Sequence, residues 1–177
     1  MNDESLEALR VELFPRKGFY QETQETPSEI YSDESGFRLY VGDSEDAGDI
    51  EKLDKKRITY VLNAAAGEAR TEGIYGKHIK CLRMDIIDEN RYDISKHIDG
   101  ALDFIAEAKA KKAGILVHCM AGVSRSVTIA MAYLMVCEGW SLKKTSRQAC
   151  RRRAASYPNI GFFKYLMGLD KKKMSGH

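Results

Sequence analysis

Apolar positions fall at two different spacings along this chain, and the spacing switches several times. Leu6, Leu9 and Leu13 recur three and four residues apart and predict a short helix over 3–13, with Pro15 soon after it. Residues 15–35 hold Pro15, Gly18, Pro27, Ser28, Ser32 and several acids, and read mostly as loop. Phe37 to Val41 alternates and stops at Gly42, which predicts a strand. Ser44 and Asp46 are capping residue types ahead of a helix over 46–55. Ile58 to Leu62 is a β-branched and aromatic run that predicts a buried strand, and 79–84 carries a weaker strand pattern. Ile94, Ile98, Ala101, Leu102, Ile105 and Ala108 return at helical spacing and predict an amphipathic helix over 94–111. Gly114 to His118 is a further strand. Residues 126–138 are apolar almost all round, the mark of a helix buried against a sheet. One more helix follows Ser141, and a last one follows Pro158. Strands interleaved with helices predict a single α/β domain, with a central, mostly parallel sheet flanked by helices on both faces.

Composition narrows the class without changing that picture. The 177 residues are 44% hydrophobic and 31% charged, which is the balance of one globular domain. No apolar run reaches the roughly 18 residues that span a bilayer. The polar, acidic opening Met1 to Ser5 predicts no secretory signal, and Asn2 stands where a myristoylation signal has glycine. Cys81, Cys119, Cys137 and Cys150 form no C-x-x-C pair and no zinc spacing. Free thiols point to a reducing cytoplasm or nucleus. His78 and His97 lack ligand-like neighbours, so no metal or other cofactor is expected. The aromatics Tyr20, Tyr31, Tyr75, Tyr133 and Trp140 are not interleaved with the arginines as in a nucleic-acid site. No nucleic acid or membrane is therefore expected as a partner, and oligomeric state is left open.

Charge is distributed unevenly. Residues 1–54 carry 15 Asp+Glu against 5 Lys+Arg, and residues 55–177 carry 11 against 23. On folding, the two parts either neutralise each other or leave the second as a field that attracts anions.

The candidate chemistry lies in Val117-His118-Cys119-Met120-Ala121-Gly122-Val123-Ser124-Arg125-Ser126. Strand, tight loop and helix N-terminus is the backbone arrangement that binds a phosphate-sized anion. A free thiol titrates at about 8.5, and such a loop, with the Arg125 guanidinium beside it, favours the thiolate of Cys119. Arg125 can grip two phosphate oxygens at once, which a lysine cannot. Gly122 lets the backbone curl around the ligand. Ser126 suits a helix cap or a catalytic hydroxyl, and His118 suits a buried group that orders the loop.

The pattern His-Cys-x-x-Gly-x-x-Arg-Ser resembles the signature of cysteine-based protein phosphatases. Ala132-Tyr133-Leu134-Met135, Val61-Leu62-Asn63-Ala64-Ala65 and Pro158-Asn159-x-Gly161-Phe162 are similar to segments of the dual-specificity phosphatases. The resemblance runs over about residues 36–170 and is nearest to the small atypical subgroup of the vaccinia H1-related kind. It implies a catalytic domain over 36–170, an N-terminal extension over 1–35 and a basic tail over 171–177, with no docking or carbohydrate-binding domain ahead.

The resemblance also assigns roles. It puts Asp88 in the position of the general acid, with Asp85 as competitor and Glu89 behind it. It makes Cys119 the nucleophile of a two-step, metal-free hydrolysis through a cysteinyl-phosphate. Arg125 and the loop positions Met120, Ala121, Gly122, Val123 and Ser124 then bind the phosphate, and Ser126 assists the thiolate as it leaves. Arg153, in the run Arg151-Arg152-Arg153, corresponds to a basic residue that meets a second phosphate. Phosphorylated proteins, kinases among them, are the implied substrates, at tyrosine and at serine or threonine. The alternatives are a phosphoinositide phosphatase, which the uncharged loop positions disfavour; a glucan phosphatase, whose loop has glycine at the place of Ser124; and a scaffold that binds phosphoproteins without turnover.

Overall fold

In the computed structural model, residues 1–15, 24–71 and 73–175 are described. Five strands form one mixed sheet in the order β1-β2-β5-β3-β4: β1 (Ser28–Ser32), β2 (Arg38–Gly42), β3 (Ile58–Asn63), β4 (Lys80–Arg83) and β5 (Gly114–His118). β2, β5, β3 and β4 run parallel, and β1 pairs antiparallel to β2. β5 sits at the centre with every residue buried, as a strand with covered faces must. Its side chains alternate between two cores. Ile115 and Val117 join the larger one, with Leu62, Leu39 and Val41. Leu116 joins a smaller one on the opposite face, with Val61, Tyr40 and Leu53.

The smaller core is covered by α2 (Ser44–Gly48) and α3 (Ile50–Lys55). The sequence predicts one helix here, over 46–55. Asp49 divides it, accepting from Lys52 N at 3.0 Å as the cap of α3. Asp43, rather than Ser44, caps α2, accepting from Glu45 N and Asp46 N. The larger core is covered by α1 (Asp3–Leu13), α4 (Ser95–Ala110), α5 (Arg125–Val136), α6 (Leu142–Arg152) and α7 (Ile160–Met174). α5 is the buried central helix, packed against β5, β2, α4, α6 and α7.

Two expectations are corrected at the ends of the chain. Ser28–Ser32 forms β1 inside the stretch read as loop, because pairing with β2 supplies what its short, polar sequence does not advertise. The rest of that reading over 16–23 lies outside the described residues. The basic tail begins inside a helix: α7 continues to Met174, with Lys171 and Lys172 exposed on its last turns, while residues 176 and 177 lie outside the described residues.

The register fixes the site. Gly42 and Asn63 both pair with His118, so β2, β5 and β3 end together. The chain leaves β5 into a crevice at the carboxyl edge of the sheet, the usual ligand position in parallel α/β structures.

Candidate active site

From Cys119 to Ser124 the loop turns its carbonyls outward, and the scaffold engages every one of them. The Cys119 carbonyl lies 3.1 Å from His118 Nδ1. Ser44 N donates to Met120 O at 3.0 Å, and Tyr157 N to Val123 O at 2.8 Å. Arg153 donates through Nε to Gly122 O at 2.6 Å and through Nη2 to Ala121 O at 3.3 Å. Ser124 O accepts from Thr128 N and Thr128 Oγ1. The backbone N–H groups of Ala121, Gly122, Val123 and Ser124 have no hydrogen-bond partner among the described residues. Carbonyls held outside and N–H groups left inside make a concave donor set for an anion.

Gly122 makes this curl possible. Its φ is +63°, and a Cβ there would stand 2.6 Å from Gly42 O and 2.3 Å from Arg153 Nη2.

Cys119 and Ser126 lie on the floor, both buried, with Sγ and Oγ 3.3 Å apart. His118 is buried behind them, and burial holds its ring below the ordinary histidine value, so the neutral form prevails. A neutral ring with Nδ1 against a carbonyl carries its proton on Nδ1.

Arg125 is the first residue of α5 and is 4% exposed. Its Nη1 donates to Glu68 Oε1 at 2.5 Å and to Ile86 O at 3.0 Å, and Nη2 reaches Glu68 Oε2 at 3.5 Å. Its Nε is buried with no hydrogen-bond partner. Burial opposes its charge, but Glu68, Cys119 and Asp88 outweigh burial and hold it above the ordinary guanidinium value. Glu68 escapes a reading of the sequence, since an acid in a polar turn carries no signal there. The turn itself is fixed by the buried Asn63, whose Nδ2 donates to Ala69 O and Thr71 Oγ1.

Asp88 lies over the loop. Its Oδ1 accepts from Ser124 Oγ and from Asn159 Nδ2, each at 2.8 Å, and its Oδ2 is 4.0 Å from Arg125 Nε. Asn159 N donates in turn to Ser124 Oγ at 2.9 Å. Asp85 is elsewhere: its Oδ1 accepts from Gly67 N. Glu89 is exposed in the turn beyond. The structure therefore brings Cys119, Ser124, Arg125, Ser126 and Asp88 together and leaves Asp85 and Glu89 out. Met120 and Ala121 are exposed at the rim, with Val123 half-buried beside them.

Arg153 requires a correction. As the residue that ends α6, with φ −143° and ψ 94°, it turns its side chain inward and is 6% exposed. Besides the two loop carbonyls, its guanidinium reaches Ser28 Oγ at 3.4 Å and Asp43 Oδ2 at 3.9 Å. It props the loop from behind and presents no cation to a second phosphate. Among the described residues, no group of three or more His, Cys, Asp or Glu side chains is placed to hold a metal ion.

A thiol beneath inward N–H groups, with a buried guanidinium and a carboxylate at the rim, defines the class of cysteine-dependent phosphatases. Within that class, the model of the dual specificity phosphatase catalytic domain matches residues 39–172, and the chain belongs to this family, in its small atypical subgroup. Dual specificity protein phosphatase 26 of Bos taurus is 37% identical over 149 residues, covering 82% of this chain and 70% of that protein. Dual specificity protein phosphatase 22 of Homo sapiens is 31% identical over 137 residues, covering 77% and 72%. A crystal structure of human DUSP28 shares the fold with a TM-score of 0.73 at 24% identity, over 85% of this chain and 99% of that one. The chain is accordingly a protein phosphatase acting on tyrosine and on serine or threonine.

Proposed function

We propose that this chain hydrolyses phosphoproteins in two steps through Cys119, with residues 36–170 as the catalytic domain. The Cys119 thiolate attacks phosphorus, forming the S–P bond as the P–O bond to the side-chain oxygen breaks. Asp88 gives its proton to that oxygen. The loop N–H groups and the free Nε edge of Arg125 bind the equatorial oxygens as charge builds on them. Water then attacks phosphorus, Asp88 takes its proton, and the S–P bond breaks. The Ser126 hydroxyl, 3.3 Å from Sγ, hydrogen-bonds the thiolate as it departs.

The observation that carries this reading is the loop itself, with six carbonyls engaged from outside and its N–H groups turned inward over the thiol. The uncharged side chains of Met120, Ala121, Val123 and Ser124 support phosphoprotein over phosphoinositide substrates, and the serine at 124 supports it over phosphoglucan. Kinases carrying phosphotyrosine and phosphothreonine are the partners we infer, in cytoplasm or nucleus.

Turnover of p-nitrophenyl phosphate tests the reading. Wild type should turn over and Cys119→Ser should not. Asp88→Asn should slow alkyl phosphates by about 10²–10⁴-fold and nitrophenyl esters much less. Equal inertness of wild type and Cys119→Ser, with both binding phosphopeptide, would make the chain a scaffold instead. Chelators should leave the rate unchanged.

A further inference from the structure

α6 carries an unusual surface. Its 11 residues bury Leu142, Thr145, Ser146 and Ala149 and expose Lys143, Lys144, Arg147, Arg151 and Arg152, with no acidic residue among them. At 3.6 residues per turn, Lys143, Arg147 and Arg151 form one row along the helix, with Lys144 beside it. Among the described residues, Lys143, Arg147, Arg151 and Arg152 take part in no ion pair. Lys144 covers the Trp140 ring at 3.7 Å.

The row leads to the active site. Arg151 lies two residues before Arg153, whose guanidinium holds the Gly122 carbonyl. The C-terminal end of α6 is thereby anchored beside the loop, and the row runs along the exposed face of the helix away from that end. The spacing fits an extended polypeptide. Cations four residues apart on a helix are separated by about 6 Å along the axis. Alternate side chains of an extended peptide repeat at about 6.6–6.8 Å on one face.

We propose that the exposed face of α6 docks an acidic flank of the phosphoprotein substrate, held extended, with carboxylates at alternate positions facing Lys143, Arg147 and Arg151. This deepens the phosphoprotein reading above and rests on it. A bilayer is the poorer occupant. A helix that lies on a membrane needs an apolar face to insert, whereas the apolar side of α6 is packed into the core and none of its large apolar residues is exposed.

The test compares phosphopeptides flanked by Asp-x-Asp-x-Asp with the same peptides carrying Asn, on either side of the phosphoresidue. For wild type the acidic flank on one side should raise kcat/KM by about tenfold at low salt, since three exposed pairs are each modest, and salt should erase the gain. Lys143→Glu/Arg147→Glu/Arg151→Glu should abolish or reverse the preference while turnover of p-nitrophenyl phosphate stays at the wild-type rate. If that variant misfolds and loses the small substrate too, Lys143→Gln/Arg147→Gln/Arg151→Gln carries the same comparison. Equal kcat/KM for acidic and neutral peptides overturns the proposal. So does a triple variant that keeps the preference but loses binding to phosphatidylserine vesicles, which would make α6 a membrane-facing surface. Turnover of p-nitrophenyl phosphate with none of any phosphopeptide would instead overturn the phosphoprotein reading.

Discussion

At the scale of single residues, chemistry that depends on spacing is legible and chemistry that depends on a fold-made neighbour is not. Cys119 and Arg125 are recognisable from their spacing, six positions apart. Glu68 has no such mark, yet it holds the Nη1 edge of Arg125 and leaves Nε open. Arg153 misleads for the converse reason: within Arg151-Arg152-Arg153 nothing in the sequence tells which side chain turns inward. Glu68→Ala should release the guanidinium and raise both KM and the phosphate inhibition constant by about tenfold, the worth of one charge-assisted bond. Glu68→Gln should recover much of this loss, and steady-state kinetics with phosphate inhibition reads both. His118 supplies a second expectation. Its ring is held neutral in the folded state, so the unfolded chain binds the extra proton as pH falls below about 6.5. This contribution to stability is complete above that pH and shrinks below it. Urea midpoints at pH 7.5 and 5.5 should show the decline, and His118→Asn should lessen it.

At the scale of elements, strong periodicity or strong burial makes a segment readable. α4 and β5 are evident because apolar residues recur at one period or run without a break. β1 is not, since Ser28–Ser32 alternates only weakly and becomes a strand by pairing with β2. The split between α2 and α3 turns on one capping carboxylate, Asp49. The described residues among the first 35 also prove closely joined to the fold. Phe14, just past α1, is 1% exposed and meets Tyr157 and Phe163 edge to face. Arg10 stacks on Tyr157 and donates to Pro158 O at 3.0 Å. Tyr157 and Asn159 in turn hold the loop and Asp88. Phe14→Ala should therefore cost about 3–5 kcal/mol, measured by urea unfolding. It should also lower turnover of alkyl phosphates, because the support of the acid loosens with the helix.

At the scale of the whole molecule, α/β alternation made the layered sheet legible, whereas strand order and the antiparallel edge came only with the structure. The uneven charge of the sequence becomes a local feature, an acid-free cationic face on α6. The cradle is also a product of the whole chain. Its carbonyls are engaged from α2, α5, the end of α6 and the turn before α7, segments that come together only when the entire sheet has closed. The inward N–H groups then form a binding site that the unfolded chain lacks, so occupancy and folding are thermodynamically linked. Inorganic phosphate at 100 times its dissociation constant should stabilise the protein by about 2.7 kcal/mol. That would move the urea midpoint up by roughly 1–2 M, and Gly122→Ala, whose Cβ would force the loop off Gly42 and Arg153, should abolish the shift. On this expectation phosphate in the surrounding solution is a folding ligand for the protein, and the concentration of product should help set how much of it is folded.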